Sequence, residues 1–242
     1  MTETTVKITS FDVFPNSTAK PGSLLRYLQQ CAREDCENNG CSYPFMREQN
    51  TVFVLTKLGL DLSRPIRSGE VLTIRTYNNR ITGIIFDREY DLFVGEESVG
   101  HCSSFWVLVR YDTRALVRPK EFPVEFYSYE IDCPTVEIPR RFGNEDVSFV
   151  HERKIRVSDL DENDHFNNCA YADAALDALP DFDGQTHAVT GFRILFENEA
   201  RLGQTLSLSV KTDEENNTAG VKAFNTTTQK PCFDSIWKFE RV

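Results

Sequence analysis

Apolar residues recur at helical spacing in two places along the chain and at strand spacing over much of the rest. Leu24, Leu25, Tyr27, Leu28, Cys31 and Ala32 form one stripe over 24–36, which predicts an amphipathic helix. Ser23 stands where a cap is wanted, and Asn38-Asn39-Gly40 where the helix should end. The second helical stretch is the alanine-rich run Cys169 to Leu176, of high intrinsic propensity, with Asn167 or Asn168 as its N-cap. Strands are predicted over 6–13, 52–62, 71–77, 84–93 and 101–109; Arg-Pro, Asn-Asn and Gly-Glu-Glu turns separate the last four. Pro15 to Gly22 reads as a turn-rich loop. One helix followed by long antiparallel strands implies a curved sheet wrapped on a helix, an α+β architecture. Residues 119–147, with Pro119, Pro123, Pro134 and Pro139, read as a linker between an N-terminal unit over 1–118 and a C-terminal unit over 148–242.

The second half repeats the plan of the first. Val13–Tyr27 and Val157–Tyr171 have equal length and each leads into a helix, while Arg67 and Gly69 match Arg201 and Gly203. In this alignment Asp161, Asn163 and His165 face Ser17, Ala19 and Pro21, and Glu199 faces Pro65. Polar chemistry has gathered in the second half, as expected of a duplicated fold with one degenerate half and one active half.

Composition narrows the function classes. A chain of 242 residues, 40% hydrophobic and 12% aromatic, can build a substantial core. The net charge of −10 argues against nucleic acid or an anionic membrane as the main partner, since both reward a basic surface. Seven cysteines without a CxxC pair suggest neither a disulfide framework nor a zinc ribbon, so reduced thiols are expected. The N-terminus has no basic lead followed by an apolar run, and no window approaches the ~18 apolar residues of a membrane helix. The expectation is a soluble, cytoplasmic, unprocessed protein.

Chemistry is concentrated in Val157–Asn168, which holds Asp159, Asp161 and Asp164, one of only four histidines at His165, and the amides of Asn163, Asn167 and Asn168. Asp and Asn before a helix often serve only as caps and turn formers. The Asp159-x-Asp161-x-Asn163 spacing begins like a calcium loop, but Asp164 replaces the required glycine and Ala170 the terminal glutamate. His101, His151, His165 and His187 show no paired ligand spacing, so no metal or other cofactor is expected, and His101, His151 and His187 are read as surface or structural.

The turn Leu160-Asp161-Glu162-Asn163-Asp164-His165-Phe166-Asn167-Asn168 with Tyr171, the strand segment Phe196-Glu197-Asn198-Glu199-Ala200, and Trp106-Val107 through Thr113-Arg114 together resemble the fatty acyl-acyl carrier protein thioesterases of plants and bacteria. The resemblance spans most of the chain. It implies a double hotdog, two units each of a central helix wrapped by an antiparallel sheet. It also implies thioester hydrolysis in fatty acid biosynthesis, with an acyl carrier protein as partner, an acyl-chain pocket in the first unit, and catalytic positions at Asp161, Asn163, His165 and Glu199. Many members carry cysteine immediately after the strand glutamate, whereas this chain has Ala200, and Cys169 does not match that position. Direct attack by water is therefore favoured over a cysteine nucleophile.

Such hydrolysis needs an activated water and a place for the charge developing on the carbonyl oxygen. Glu199 and Asp161 can hold and deprotonate water, His165 can orient it or shuttle the proton, and Asn163 can donate to the carbonyl or fix the water. Backbone N–H groups at Asn167 and Asn168 offer an oxyanion site. A focused basic surface for an acidic carrier protein is sought in Arg110, Arg114, Arg118 and Lys120, or in Arg140 with Arg141. Two other readings stand beside this one: an acyl-coenzyme A thioesterase, and a non-catalytic acyl-binding module. Monomer and homodimer are both compatible with the sequence.

Overall fold

The structure, a computed structural model, describes residues 1–140, 142 and 149–242. Arg141 and residues 143–148 of the expected linker and its junction lie outside the described residues. The chain divides into two compact units. The first comprises Met1–Lys7, Tyr27–Ser63 and Glu70–Glu137, and the second comprises Ile8–Arg26, Arg64–Gly69 and Ile138–Val242.

The first unit is built from strands β1 (Thr2–Lys7), β2 (Thr51–Leu62), β3 (Val71–Thr82), β4 (Ile85–Val94) and β5 (Glu97–Arg110), in the antiparallel order β1-β3-β4-β5-β2. Helix α1 runs Pro21–Asn38, and its residues from Tyr27 onward belong to this unit. It starts ahead of Ser23 because Pro21 has its φ already fixed for a first helical turn and the Lys20 carbonyl accepts from Leu24 N–H. Leu28 and Cys31 on α1 are buried, and Cys31 Sγ reaches the Ile74 carbonyl at 3.6 Å. A short helix, α2 (Tyr43–Glu48), is capped by Ser42 and begins with Pro44 in its first turn; six residues are too few for a periodic signal.

The strand expected over 6–13 ends at Lys7. The Thr9 N–H and hydroxyl both donate to Asp12 Oδ2, at 2.8 and 2.6 Å, and this local turn takes the backbone out of the ladder. Strand β3 runs five residues beyond the expected Tyr77. Beyond the Thr2 end of β1, residues 129–131 continue beside β3: Tyr129 N–H and Glu130 N–H donate to the carbonyls of Asn78 and Asn79.

The second unit repeats this order with β6 (Phe149–Lys154), β7 (His187–Phe196), β8 (Thr205–Asp213), β9 (Thr218–Asn225) and β10 (Lys230–Arg241), hydrogen-bonded as β6-β8-β9-β10-β7. Its helix α3 (Asn168–Asp177) buries seven of ten residues, and four of those seven are alanines. Small side chains bring that helix close to the sheet, where Tyr171 packs edge-on against Phe196 and Phe233. A Ser-x-Trp step marks the same place in both sheets: Trp106 Nε1 donates to Ser104 Oγ on β5, and Trp237 Nε1 donates to Ser235 Oγ on β10. No helix among the described residues is long and apolar enough to cross a membrane.

One buried ion pair fastens α1 to its sheet. Arg88 Nη1 on β4 donates to Asp35 Oδ2 at 2.9 Å, with side chains 11% and 4% exposed. Burial would raise the Asp35 carboxyl, but the Arg88 charge and its hydrogen bond outweigh that and hold it below its usual value. A carboxylate lowered on folding stabilises the native state above its unfolded pKa of about 3.9 and loses that contribution as pH falls through the folded value. Asp35→Asn is expected to leave Arg88 buried without its counter-charge, at a cost of about 3–5 kcal/mol. Urea unfolding at pH 7 and at pH 3 checks this: the difference between wild type and variant should shrink at the acid end.

Candidate active site

The candidate residues lie on two loops of the second unit. The first runs from the 3-10 turn at Val157–Asp159 to the start of α3. Its backbone closes on itself, Asp161 N–H donating to the His165 carbonyl at 2.9 Å and Asp164 N–H to the Asp161 carbonyl at 3.1 Å. Asp164 takes the left-handed conformation at φ 62°, a region that Asp and Asn tolerate better than most residues. The second loop joins β7 to β8 and carries Glu199, Ala200 and Arg201. Phe166 N–H donates to the Ala200 carbonyl at 2.8 Å, and Gly203 N–H to the Ile155 carbonyl at 3.1 Å, so the loops are held together on both sides.

This clasp brings His165 to Glu199. The imidazole Nε2 lies 3.1 Å from Glu199 Oε2, with side chains 11% and 38% exposed. Arg201 Nη2 also approaches Nε2, at 3.1 Å. A guanidinium can only donate and a carboxylate can only accept. The Arg201 contact therefore needs an unprotonated Nε2, whereas the Glu199 contact needs a proton there. The nitrogen stands between a group that favours its basic form and one that favours its protonated form. Glu199, expected on a strand, lies past the end of β7 in this loop; Arg201 was visible in the sequence only as a repeat match, and its charge two residues after that glutamate was the overlooked signal.

The remaining candidates are placed as follows. Asp161 Oδ1 accepts from the N–H groups of Asn163 and His165, at 2.9 and 3.1 Å, and so shapes the turn that carries both. Asn167 is the N-cap of α3, its Oδ1 accepting from Cys169 N–H at 2.9 Å, while its own N–H donates to the Asp159 carbonyl at 2.8 Å. The expectation of an oxyanion amide at Asn167 is therefore corrected: that donor is already engaged within the turn. Asp159 is a scaffold residue, pairing with Arg153 at 2.8 Å and accepting from Arg156 N–H. Ala200 is fully buried. Burial pushes the Cys169 and Cys232 thiols up to about 12, which leaves almost no thiolate near neutral pH.

Hydrogen bonds also correct the register of the internal repeat. In the N-terminal copy Phe14 N–H donates to the Thr18 carbonyl, Ser17 N–H to the Phe14 carbonyl, and Lys20 N–H to the Asp12 carbonyl. These mirror Asp161 to His165, Asp164 to Asp161, and Asn167 to Asp159. Ser17, at φ 66°, matches Asp164. Asp161, Asn163 and His165 thus correspond to Phe14, Asn16 and Thr18, three residues from the expected alignment. The second loop keeps its expected match, since Ala19 N–H donates to the Ile66 carbonyl as Phe166 N–H does to Ala200, placing Pro65 against Glu199. The N-terminal copy also belongs to the second unit, tied in by Asn16 Nδ2 on the His187 carbonyl and by an Arg26–Asp173 ion pair at 2.8 Å.

The basic candidates Arg110, Arg114, Arg118 and Lys120 all belong to the first unit. Arg118 and Lys120 are exposed, Arg114 lies 5.3 Å above the Tyr111 ring, and Arg110 donates to the Gln49 carbonyl at 3.3 Å. Arg140 is exposed in the second unit. His101, expected at the surface or in a structural place, is buried, with a carboxylate at each ring nitrogen.

Family models describe the chain in two pieces: acyl-ACP thioesterase N-terminal domain over residues 1–128 and acyl-ACP thioesterase C-terminal domain over residues 143–234. Among solved structures, an acyl-ACP thioesterase from Bacteroides thetaiotaomicron superposes with a TM-score of 0.87 at 22% identity, covering 98% of this chain and 97% of that one. A 12:0-ACP thioesterase from Umbellularia californica gives 0.84 at 15% identity, covering 99% and 97%. These likenesses establish the fold as a double hotdog. Curated relatives include a chloroplastic acyl-carrier-protein hydrolase of Cuphea viscosissima, 24% identical over 82% of this chain. An oleoyl-acyl carrier protein thioesterase of Arabidopsis thaliana is 24% identical over 88%. The chain spans 52% and 64% of the lengths of those two relatives.

Because Asn167 both caps α3 and closes the turn ahead of it, Asn167→Ala is expected to cost about 1 kcal/mol of stability. Urea unfolding followed by circular dichroism measures this; an unchanged midpoint would show that the cap does not secure the helix start.

Proposed function

Since the chain belongs to the acyl-ACP thioesterase family, we propose that it hydrolyses fatty acyl thioesters of acyl carrier protein, releasing the free fatty acid. The observation that carries this reading is the His165–Glu199 contact at 3.1 Å, beside the turn that opens α3. Glu199 and His165 hold a water against the thioester carbonyl. As the water oxygen attacks the carbonyl carbon, its proton passes to His165 Nε2, where Glu199 stabilises the imidazolium. The tetrahedral oxyanion is met by the Asn168 N–H at the helix start and by the Asn163 side chain. When the intermediate collapses, the C–S bond breaks and the proton moves from His165 to the departing thiolate. Asp161 acts through the backbone amides it accepts, as a positioning residue. Arg201 donates to the unprotonated Nε2 and gives up that contact as the proton arrives.

With Ala200 next to Glu199, and Cys169 and Cys232 buried as neutral thiols, water rather than sulfur is the nucleophile. None of the seven cysteines forms a disulfide, which supports a reducing compartment such as the cytoplasm. In the first unit Phe53, Phe86 and Phe126 stack edge-on with centroids 4.9–5.8 Å apart, and Met46, Leu108 and Phe122 join their apolar cluster. This cluster is proposed as the acyl-chain pocket, in keeping with a division of labour in which the second unit is catalytic.

His165→Ala and Glu199→Gln are each expected to lower kcat by about 10²–10⁴ while leaving the melting temperature close to wild type. Thiol release from matched acyl carrier protein and coenzyme A thioesters of varied chain length provides the readout. Turnover on coenzyme A thioesters alone would replace the carrier-protein reading with an acyl-coenzyme A thioesterase, and none on either panel would favour an acyl-binding module.

Docking is assigned to Arg114, Arg118 and Lys120. The double change Arg114→Glu with Arg118→Glu is expected to raise KM for the carrier-protein substrate by about tenfold, equivalent to about 1.4 kcal/mol, with kcat retained. An unchanged KM at low ionic strength would place the dock elsewhere.

A further inference from the structure

The first unit holds a second cluster of chemistry-bearing side chains, away from the candidate active site in sequence and in composition. Its origin lies in strand register. On β4 and β5, Glu89 pairs with Ser103 and Asp91 with His101, and side chains alternate between sheet faces. Arg88 points to α1, so Glu89 and Asp91 take the opposite face together with His101 and Ser103. His101 Nδ1 lies 2.9 Å from Asp91 Oδ1 and its Nε2 2.9 Å from Glu89 Oε2, while Ser103 Oγ donates to the same Glu89 oxygen at 2.6 Å.

The segment around Cys133 covers this face. It is fastened by Val136 N–H on Ser103 Oγ at 2.9 Å, and by Asn79, whose side chain both accepts from Ile131 N–H and donates to the Ile131 carbonyl. Cys133 thereby arrives at the cluster: ligating atoms of Glu89, His101 and Cys133 all fall within 4.8 Å of one another. Asn79 Nδ2 lies 3.4 Å from the sulfur, and the Tyr77 hydroxyl also bonds it. A cavity of about 330 Å³ opens beside them, lined in part by Asn79, Asp87, Glu89 and Cys133.

We propose that Glu89, His101 and Cys133 form a binding site for a thiophilic divalent cation, for which zinc is the best fit. Thiolate, imidazole and carboxylate together are a zinc donor set, and three protein ligands leave a fourth tetrahedral position facing the cavity. Asp91 on Nδ1 supplies the carboxylate that metal-bound histidines usually carry on their other nitrogen, directing Nε2 to the metal. The buried Glu89 and the partly exposed Asp91 place two carboxylates around a single imidazole, leaving negative charge that a dication would neutralise. Ligand atoms on a tetrahedral zinc stand about 3.4–3.6 Å apart, so binding opens the His101–Glu89 contact slightly and draws the sulfur inward. The cation would pin the segment 129–137 to the sheet.

The test is zinc titration of the chelator-stripped whole chain against a chromophoric competitor, with cobalt(II) as a spectroscopic stand-in. One equivalent of zinc per chain is expected, with a thiolate-to-cobalt charge-transfer band that disappears in Cys133→Ser. Asp91→Asn should weaken zinc binding by about 10–100-fold while the cobalt band persists at saturation. The Cys133→Ser protein must retain the wild-type circular dichroism spectrum, and the wild-type cobalt spectrum serves as a readout independent of any variant. Absence of stoichiometric zinc, a cobalt spectrum without a thiolate band, or equal affinity in wild type and Cys133→Ser would each overturn the assignment. The cluster would then be a histidine clamped between two carboxylates.

Discussion

The candidate active site depends on the hydrogen bond from Phe166 N–H to the Ala200 carbonyl. A backbone hydrogen bond contributes only about 0.5–1.5 kcal/mol, so its importance is geometric. It joins a turn before a helix to a loop between strands, separated by more than thirty residues of chain. Because His165 and Glu199 each sit one residue before a bonding partner, closing that bond brings the imidazole and the carboxylate to 3.1 Å. The Gly203 bond to Ile155 closes the other side, and Gly203, at φ 79°, adopts a backbone that a side chain would strain. Asp161 restrains the turn from within by accepting two of its amides. The geometry of the candidate site is thus fixed mainly by main-chain bonds, leaving the side chains there open to change.

The N-terminal copy of the same clasp shows that freedom. Its bonds from Ala19 to Ile66 and from Gly69 to Ile8 match the C-terminal copy closely, yet Thr18 stands in place of His165 and Pro65 in place of Glu199. Asn16, which matches Asn163, uses its side chain to hold the His187 carbonyl and to accept from the Thr18 hydroxyl. A turn that carries the histidine of the His165–Glu199 contact in one copy serves in the other as a packing element, and the backbone distinguishes them only slightly.

Much of the framework was legible from periodicity. The stripe from Leu24 to Ala32 marked α1, and long alternating runs marked β2 to β5 with ends up to five residues short, because each buries one face over ten or more positions. His165 stood out as the histidine of a polar turn before a helix, whereas Glu199 was singled out by the family resemblance, and the 3.1 Å contact between them appears only in the fold. Register was not legible. Matching valine and tyrosine at the ends of two segments compares side chains, whereas equivalence here is set by carbonyls and N–H groups that no residue type reveals, and the alignment slipped by three. The assignment of residues 8–26 and 64–69 to the second unit was hidden for the same reason: their partners are main-chain groups far along the chain.

The cluster at Glu89, His101 and Cys133 was illegible for a different reason. Ligand spacing is a reliable signal when donors lie on one turn or hairpin, as two cysteines separated by two residues do. Here the donors come from two neighbouring strands and from a covering segment thirty-two residues beyond His101, so sequence separation carries no pattern. What brings them together is the two-residue period of the strands combined with the β4–β5 register. That register is itself demanded by the opposite face, where Tyr90 and Cys102 are buried beneath α1 and Arg88 meets Asp35. A slip of one residue would turn every side chain over, losing the helix-facing core and dispersing the polar cluster together. Packing of α1 therefore determines which polar residues can meet on the far side of the sheet, and the donor set there follows from the same constraint that folds the unit.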